Sequence, residues 1–191
     1  MKRLFLIFAL LLMVCSSSSA ASKSELKRMS TFISNFTELD FFDFDSSSII
    51  MDQLIYFGIY HNYLNNSSLI KNVENNGDYN RSISAKNVEA SVRKYFDMHV
   101  THQDASYYGN IFPYKNGKYY FIAADGVPTN ANVKEVSKKG KIITMKGELY
   151  MYNAEEDKDE VTGEFTATAK PHKWNGKNTW VILSIKSKFY D

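Results

Sequence analysis

The sequence predicts an α+β fold, and three observations predict it. Apolar residues recur at helical steps over residues 22–36, 49–64 and 82–99. From residue 111 onward the pattern changes to strand-like alternation. Asn116-Gly117 and Asn175-Gly176 each separate two such runs, and Asn-Gly is the pair that tolerates the positive φ of a tight hairpin. Helices followed by strands imply two layers, with N-terminal helices packed on a C-terminal antiparallel meander of about five or six strands.

The first helix is expected over residues 22–36, where Leu26, Met29, Ile33 and Phe36 share one face. Phe41, Phe42 and Phe44 alternate with Asp40, Asp43 and Asp45 and lead into Ser46–Ser48. This stretch reads as a loop that tucks phenylalanines into the core and ends in an N-cap serine. In the second helix, Ile49 to Leu64, one stripe carries Ile50, Leu54, Phe57, His61 and Leu64, and Ile55, Ile59 and Tyr63 widen it. An apolar face that broad belongs to a helix buried on most sides. Residues 65–81 are rich in Asn, Ser and Gly and read as a surface loop. The third helix starts from Ser82 or Ser84, buries Val88, Val92, Tyr95, Phe96 and His99, and frays near His99.

In the strand half, Ile111–Lys115 and Lys118–Ala124 flank the first Asn-Gly turn, and a short strand follows near Asn132–Ser137. In Lys141–Asn153, Ile143, Met145, Leu149 and Met151 point one way. Residues 153–160 form an acidic turn, and Val161, Phe165, Ala167 and Ala169 then share a side. The last strand sets Val181, Leu183, Ile185 and Phe189 against Trp180, Ile182, Lys186 and Lys188. Small residues at Gly163, Ala167 and Ala169 leave room for a helix to cross the sheet closely. The element order over residues 82–190 resembles cystatin-like and NTF2-like folds, in which a curved antiparallel sheet wraps one long helix. That resemblance implies an architecture and no function, since such folds host binding modules, inhibitors and enzymes alike.

Lys2 and Arg3 precede the apolar run Leu4–Val14, followed by Cys15, Ser16–Ser19 and Ala20. A basic start, a short apolar core and small residues before a cut describe a secretory signal peptide. Residues 1–20 are therefore read as the signal, residues 21–81 as a helical segment, and residues 82–191 as a helix plus sheet that packs with it. Two cuts are open. Ser18-x-Ala20 releases a chain beginning at Ala21, whereas a cut before Cys15 yields a lipid-bearing N-terminus, although Val14 departs from the small residue usual there. Cys15 is the single cysteine, so the domain holds no disulfide and stands by its core alone. The 23 basic and 21 acidic residues become equal once Lys2 and Arg3 are removed. So balanced a charge argues against a nucleic-acid partner, and contact with a membrane is expected only through a lipid anchor at Cys15.

No Gly-rich phosphate loop or G-x-S-x-G context is present. His99, His102 and Asp104 form the best metal-like cluster, with a spacing that suits a helical turn. His61 on its apolar stripe is either a core histidine or a general base. Glu38, Asp40, Asp43 and Asp45 are close enough in sequence to hold calcium, and Asp43-x-Asp45-x-Ser47 begins like an EF-hand loop but lacks its glycine and terminal glutamate, so the acids equally read as keeping a phenylalanine-rich loop soluble. The most suggestive feature is aromatic: Tyr120, Tyr150, Tyr152, Trp180 and Tyr190 are expected to share a sheet face with Lys146, Glu148, Lys186 and Lys188. Tyr and Trp beside mixed charges suit recognition of a protein or glycan at the cell surface. The reading is an exported, non-enzymatic binding or accessory module of the cell envelope, with no cofactor. The alternatives are a secreted hydrolase or metal-dependent enzyme using the His/Asp cluster, and an inhibitor acting through loops 65–81 or 101–110.

Overall fold

The computed structural model describes residues 21–74, 77–123 and 126–190. The signal segment and Cys15 lie outside them. Helix α1 (Lys23–Thr37) starts at Ser22, whose hydroxyl accepts the Glu25 N–H at 3.2 Å. This hydroxyl satisfies one of the donors that a helix leaves unpaired at its start. Met29, Ile33 and Phe36 are fully buried, as their spacing requires, and Phe32 joins them. Strand β1 (Phe44–Asp45) carries Phe44 into the core beside Phe41. Helix α2 (Met51–Asn65) has an unbroken buried run from Leu54 to Asn62. Its N-cap is Ile50, not a serine: the Gln53 side chain accepts the Ile50 N–H at 3.0 Å, while Asp45 and Ser47 hydrogen-bond each other in the turn before it.

Residues 65–81 are more ordered than their composition suggests. They contain a 3-10 turn (Ser67–Leu69), strand β2 (Lys71–Asn72) and the start of β3 (Arg81–Ser84). Ser84 caps α3 (Ala85–Phe96), which ends at Asp97 in the left-handed region. Next come β4 (Ala105–Tyr107), β5 (Asn110–Phe112), β6 (Tyr114–Lys115) and β7 (Lys118–Phe121). The Asn116-Gly117 turn joins β6 to β7 with φ of 54° and 73°, the geometry this pair favours. That hairpin is not part of the main meander. It belongs to a small sheet ordered β2-β3-β7-β6, and β4 and β5 form a third, two-stranded sheet.

The main sheet is built from β8 (Asn130–Lys139), β9 (Ile142–Asn153), β10 (Lys158–Trp174) and β11 (Lys177–Phe189), with β1 on the edge beside β11. All pairings are antiparallel. Helix α1 packs along β8, and α3 packs on both α2 and β11. The fold is thus α+β, with three helices and a five-stranded main sheet among the described residues. Its core is a phenylalanine cluster: Phe57 meets Phe96 at 4.8 Å and Phe36 at 5.1 Å, closing the space between the three helices.

Edge strand β8 is sealed by α1. Ser30 and Ser34 lie one helical turn apart, and their hydroxyls accept the backbone N–H groups of Val133 (2.9 Å) and Ala131 (3.0 Å). Thr37 continues the row by donating to the Thr129 carbonyl at 2.7 Å. The 5.4 Å pitch of a helix is close to the two-residue repeat of a strand, about 6.6 Å, so consecutive hydroxyls can meet alternate strand residues. These side chains replace the missing neighbour strand along that part of the edge.

Three bulges set which side chains face the helices. The pairing shifts at Lys134 in β8, at Thr162 in β10 and at Leu183 in β11. One extra residue reverses the facing of everything beyond it. The Leu183 bulge puts Trp180, Ile182 and Ile185 together on the inner, helix-covered face and corrects the expected grouping of Trp180 and Ile182 with the outward lysines. The Thr162 bulge sends Val161 outward, away from Phe165, Ala167 and Ala169. Gly147 faces the β8 bulge, where a Cβ would sit 2.0 Å from the Asn132 carbonyl oxygen, so only glycine fits.

Candidate functional site

The outer face of the main sheet is built in rows that run across the strands. Ser137, Thr144, Thr168 and Ser184 form one row, and the last two hydroxyls are 2.7 Å apart. Glu135, Lys146, Thr166 and Lys186 form the next, followed by Asn132, Glu148, Glu164 and Lys188. Tyr150 and Val161 are paired in the row beyond, with Tyr152 opposite Asp159 at the hairpin end. Helix α3 lies against the other side of these strands, while α1 runs along the β8 edge, where Leu26 and Lys27 border the Tyr150 and Val161 end of this face. The Lys146, Glu164 and Lys188 side chains are exposed, as are Tyr152 (48%) and Tyr190 (52%). Tyr190 extends the ladder through its N–H to the Thr162 carbonyl at 2.9 Å and lines one hollow, about 580 Å³, with Lys146, Glu148 and Lys188.

The charges on this face are mixed and mostly solvated. Lys134 and Glu148 pair at 2.9 Å, and Lys186 reaches Asp43 at 3.4 Å. Exposed pairs of this kind add little stability and leave the charges free to be read by a partner. Partial burial raises the Tyr150 pKa, and the Tyr152 hydroxyl donates to Asp157, which raises its pKa too.

The five aromatic residues expected on one face do not share it. Tyr150, Tyr152 and Tyr190 do. Trp180 is on the inner face, 8% exposed, under the Arg28 guanidinium (5.2 Å) and beside Phe32 (5.5 Å). The Arg28 guanidinium also donates to the Asn178 carbonyl at 2.8 Å, locking this lid in place. Tyr120 is in β7, in the small sheet, opposite Ser82.

The histidines take separate partners. His99 lies past the end of α3 and is exposed, not part of its apolar face, and its Nδ1 meets Glu89 at 2.9 Å. His102 stacks on Tyr114 and hydrogen-bonds the Tyr119 hydroxyl at 3.0 Å. Asp104 accepts the Tyr114 N–H at 2.7 Å. Among the described residues no group of three His, Cys, Asp or Glu side chains is arranged to hold a metal ion. His61 is buried against Phe57 and Tyr95, and burial together with the nearby Lys94 charge pulls its pKa down to about 3. It is neutral at physiological pH and sits in the core. The early carboxylates diverge: Glu38 accepts from Asn65, Asp43 faces Lys186 and Asp45 binds Ser47.

No family model, curated protein or solved structure matches this chain. No helix among the described residues is long and apolar enough to cross a membrane.

Proposed function

We propose that this chain is an exported, non-enzymatic binding module of the cell envelope that docks a protein partner through the outer face of its main sheet. One observation carries the reading: that face bears ordered rows of both charge signs beside Tyr150, Tyr152, Val161 and Tyr190, while α3 packs on the opposite side and α1 borders the face only along the β8 edge. Mixed charges in fixed register favour a protein surface over a neutral glycan, because each sign needs its complement. Export rests on the signal pattern of residues 2–20. The long antiparallel meander with α3 packed on β11 supports a cystatin-like or NTF2-like arrangement, in which the sheet face away from the helix can serve as a platform.

The test is crosslinking of the mature domain in a native envelope extract. We expect one protein adduct with the wild-type chain, lost in a Tyr152→Ala, Lys188→Glu variant and kept in Thr31→Ala on α1. Capture that ignores the outer-face changes refutes the reading, and so does binding to purified glycans with no protein adduct.

A further inference from the structure

A second site, sharing no residue with the sheet face, lies where α1 ends against α2. Tyr56, Tyr60 and Tyr63 stand at helical steps of four and three on α2 and wall a cavity of about 210 Å³. Their rings pack in sequence, Tyr56 to Tyr60 at 5.0 Å and Tyr60 to Tyr63 at 6.2 Å. The Tyr60 hydroxyl is held between the Ile122 carbonyl (3.1 Å) and Asn110 Oδ1 (3.3 Å), so that wall is fixed in advance of any ligand. Glu38 and Asp40 line the cavity from the end of α1. Neither carboxylate has an ion-pair partner among the described residues. Its mouth carries exposed apolar side chains, Leu64 (45%) and Val127 (56%).

We propose that this cavity binds a small organic ammonium ion. Tyrosine rings attract a cation through their π systems and also accept its alkyl surface, and two carboxylates supply the counter-charge. A metal ion fits poorly. Calcium asks for six to eight oxygen ligands and zinc for a tight tetrahedral set, whereas among the described residues the cavity offers two carboxylates and no group of three His, Cys, Asp or Glu ligands. A neutral apolar ligand would leave half-buried Glu38, held only by the Asn65 amide, and exposed Asp40 without a counter-charge. Burial raises the pKa of Glu38 and of Asp40, the direction a nearby cation would reverse.

The experiment is calorimetric titration of the mature domain with tetramethylammonium chloride, at constant ionic strength, against tert-butanol as a neutral compound of similar shape. The cation is expected to bind saturably in the millimolar range and tert-butanol not to. Asp40→Asn keeps the shape and suits the left-handed backbone at this position (φ 61°), and is expected to weaken binding about tenfold while the domain stays folded. Tyr63→Ala, on the half-buried end of the wall, should weaken it several-fold. If the folded wild-type chain binds no tetramethylammonium, or binds both compounds alike, the proposal fails. It fails equally if Asp40→Asn and Tyr63→Ala, both folded by circular dichroism, bind as the wild type does.

Discussion

Replacing Ser34 by alanine removes one oxygen and leaves the helix backbone untouched, yet it strips the Ala131 N–H of its acceptor. Both residues are buried, Ser34 at 7% and Ala131 at 2% exposure, so water cannot easily take the hydroxyl's place. An unsatisfied buried donor costs about 1–3 kcal/mol. Alanine is the better helix former, which returns up to about 0.5 kcal/mol. The expected net loss is about 1.5 kcal/mol, or a melting point lower by about 3–6 °C for a domain of this size. Thr31 is the internal control: it is exposed, and its hydroxyl donates to the Lys27 carbonyl within the same helix. Thr31→Ala should change stability by less than about 0.5 kcal/mol. Urea denaturation followed by circular dichroism, with thermal melts in parallel, reads both variants. Indistinguishable midpoints for Ser34→Ala and Thr31→Ala would show that α1 hydroxyls do not seal the β8 edge.

Stability should also depend on pH through His61. Its folded pKa of about 3 lies below the ordinary 6.5, so the unfolded chain binds the extra proton. This contribution is complete above pH 6.5 and is lost as pH falls toward 3, by at most about 1.4 kcal/mol per unit. His61→Phe should flatten the curve just below pH 6.5, and an unchanged slope would refute the assignment. Gly58→Ala is expected to cost about 1–3 kcal/mol, because its Cβ would lie 2.6 Å from Val88 Cγ1 and 3.0 Å from the Val88 carbonyl oxygen, where α2 and α3 meet. Equal urea midpoints would mean that the helices separate at little cost. Mass spectrometry of the exported chain should find Ala21 at its N-terminus, and an acylated Cys15 would replace that cut with lipid anchoring.

Much of the local structure was legible. A serine cap at Ser82 or Ser84, of which Ser84 is the one used, the Asn-Gly turns and the burial of Phe41 and Phe44 all follow from chemistry within a few residues. The row of Ser30, Ser34 and Thr37 went unread, because nothing in α1 announces that its partner is the backbone of a strand about a hundred residues later. Strand facing was less legible. Alternation carried through Leu183 assigns Trp180 to the wrong side, because a bulge leaves no mark in a hydrophobic pattern. The candidate sheet surface was therefore half visible: Tyr150, Tyr152 and the lysines of β9 and β11 were legible on it, while Trp180 and Tyr120 were misplaced. The tyrosine cavity was missed altogether. Tyr60 and Tyr63 looked like ordinary helix residues until Glu38, Asp40 and the 126–129 segment closed over them.

Helix and strand periods, turn positions and caps were determined by the chain alone, since each depends on torsions and hydrogen bonds among near neighbours. Only the folded chain decided which hairpin joins which sheet, where a strand steps out of register and which carboxylates meet which rings. Those outcomes depend on contacts between distant segments, whose energies compete only once the chain has collapsed and every backbone donor must find an acceptor.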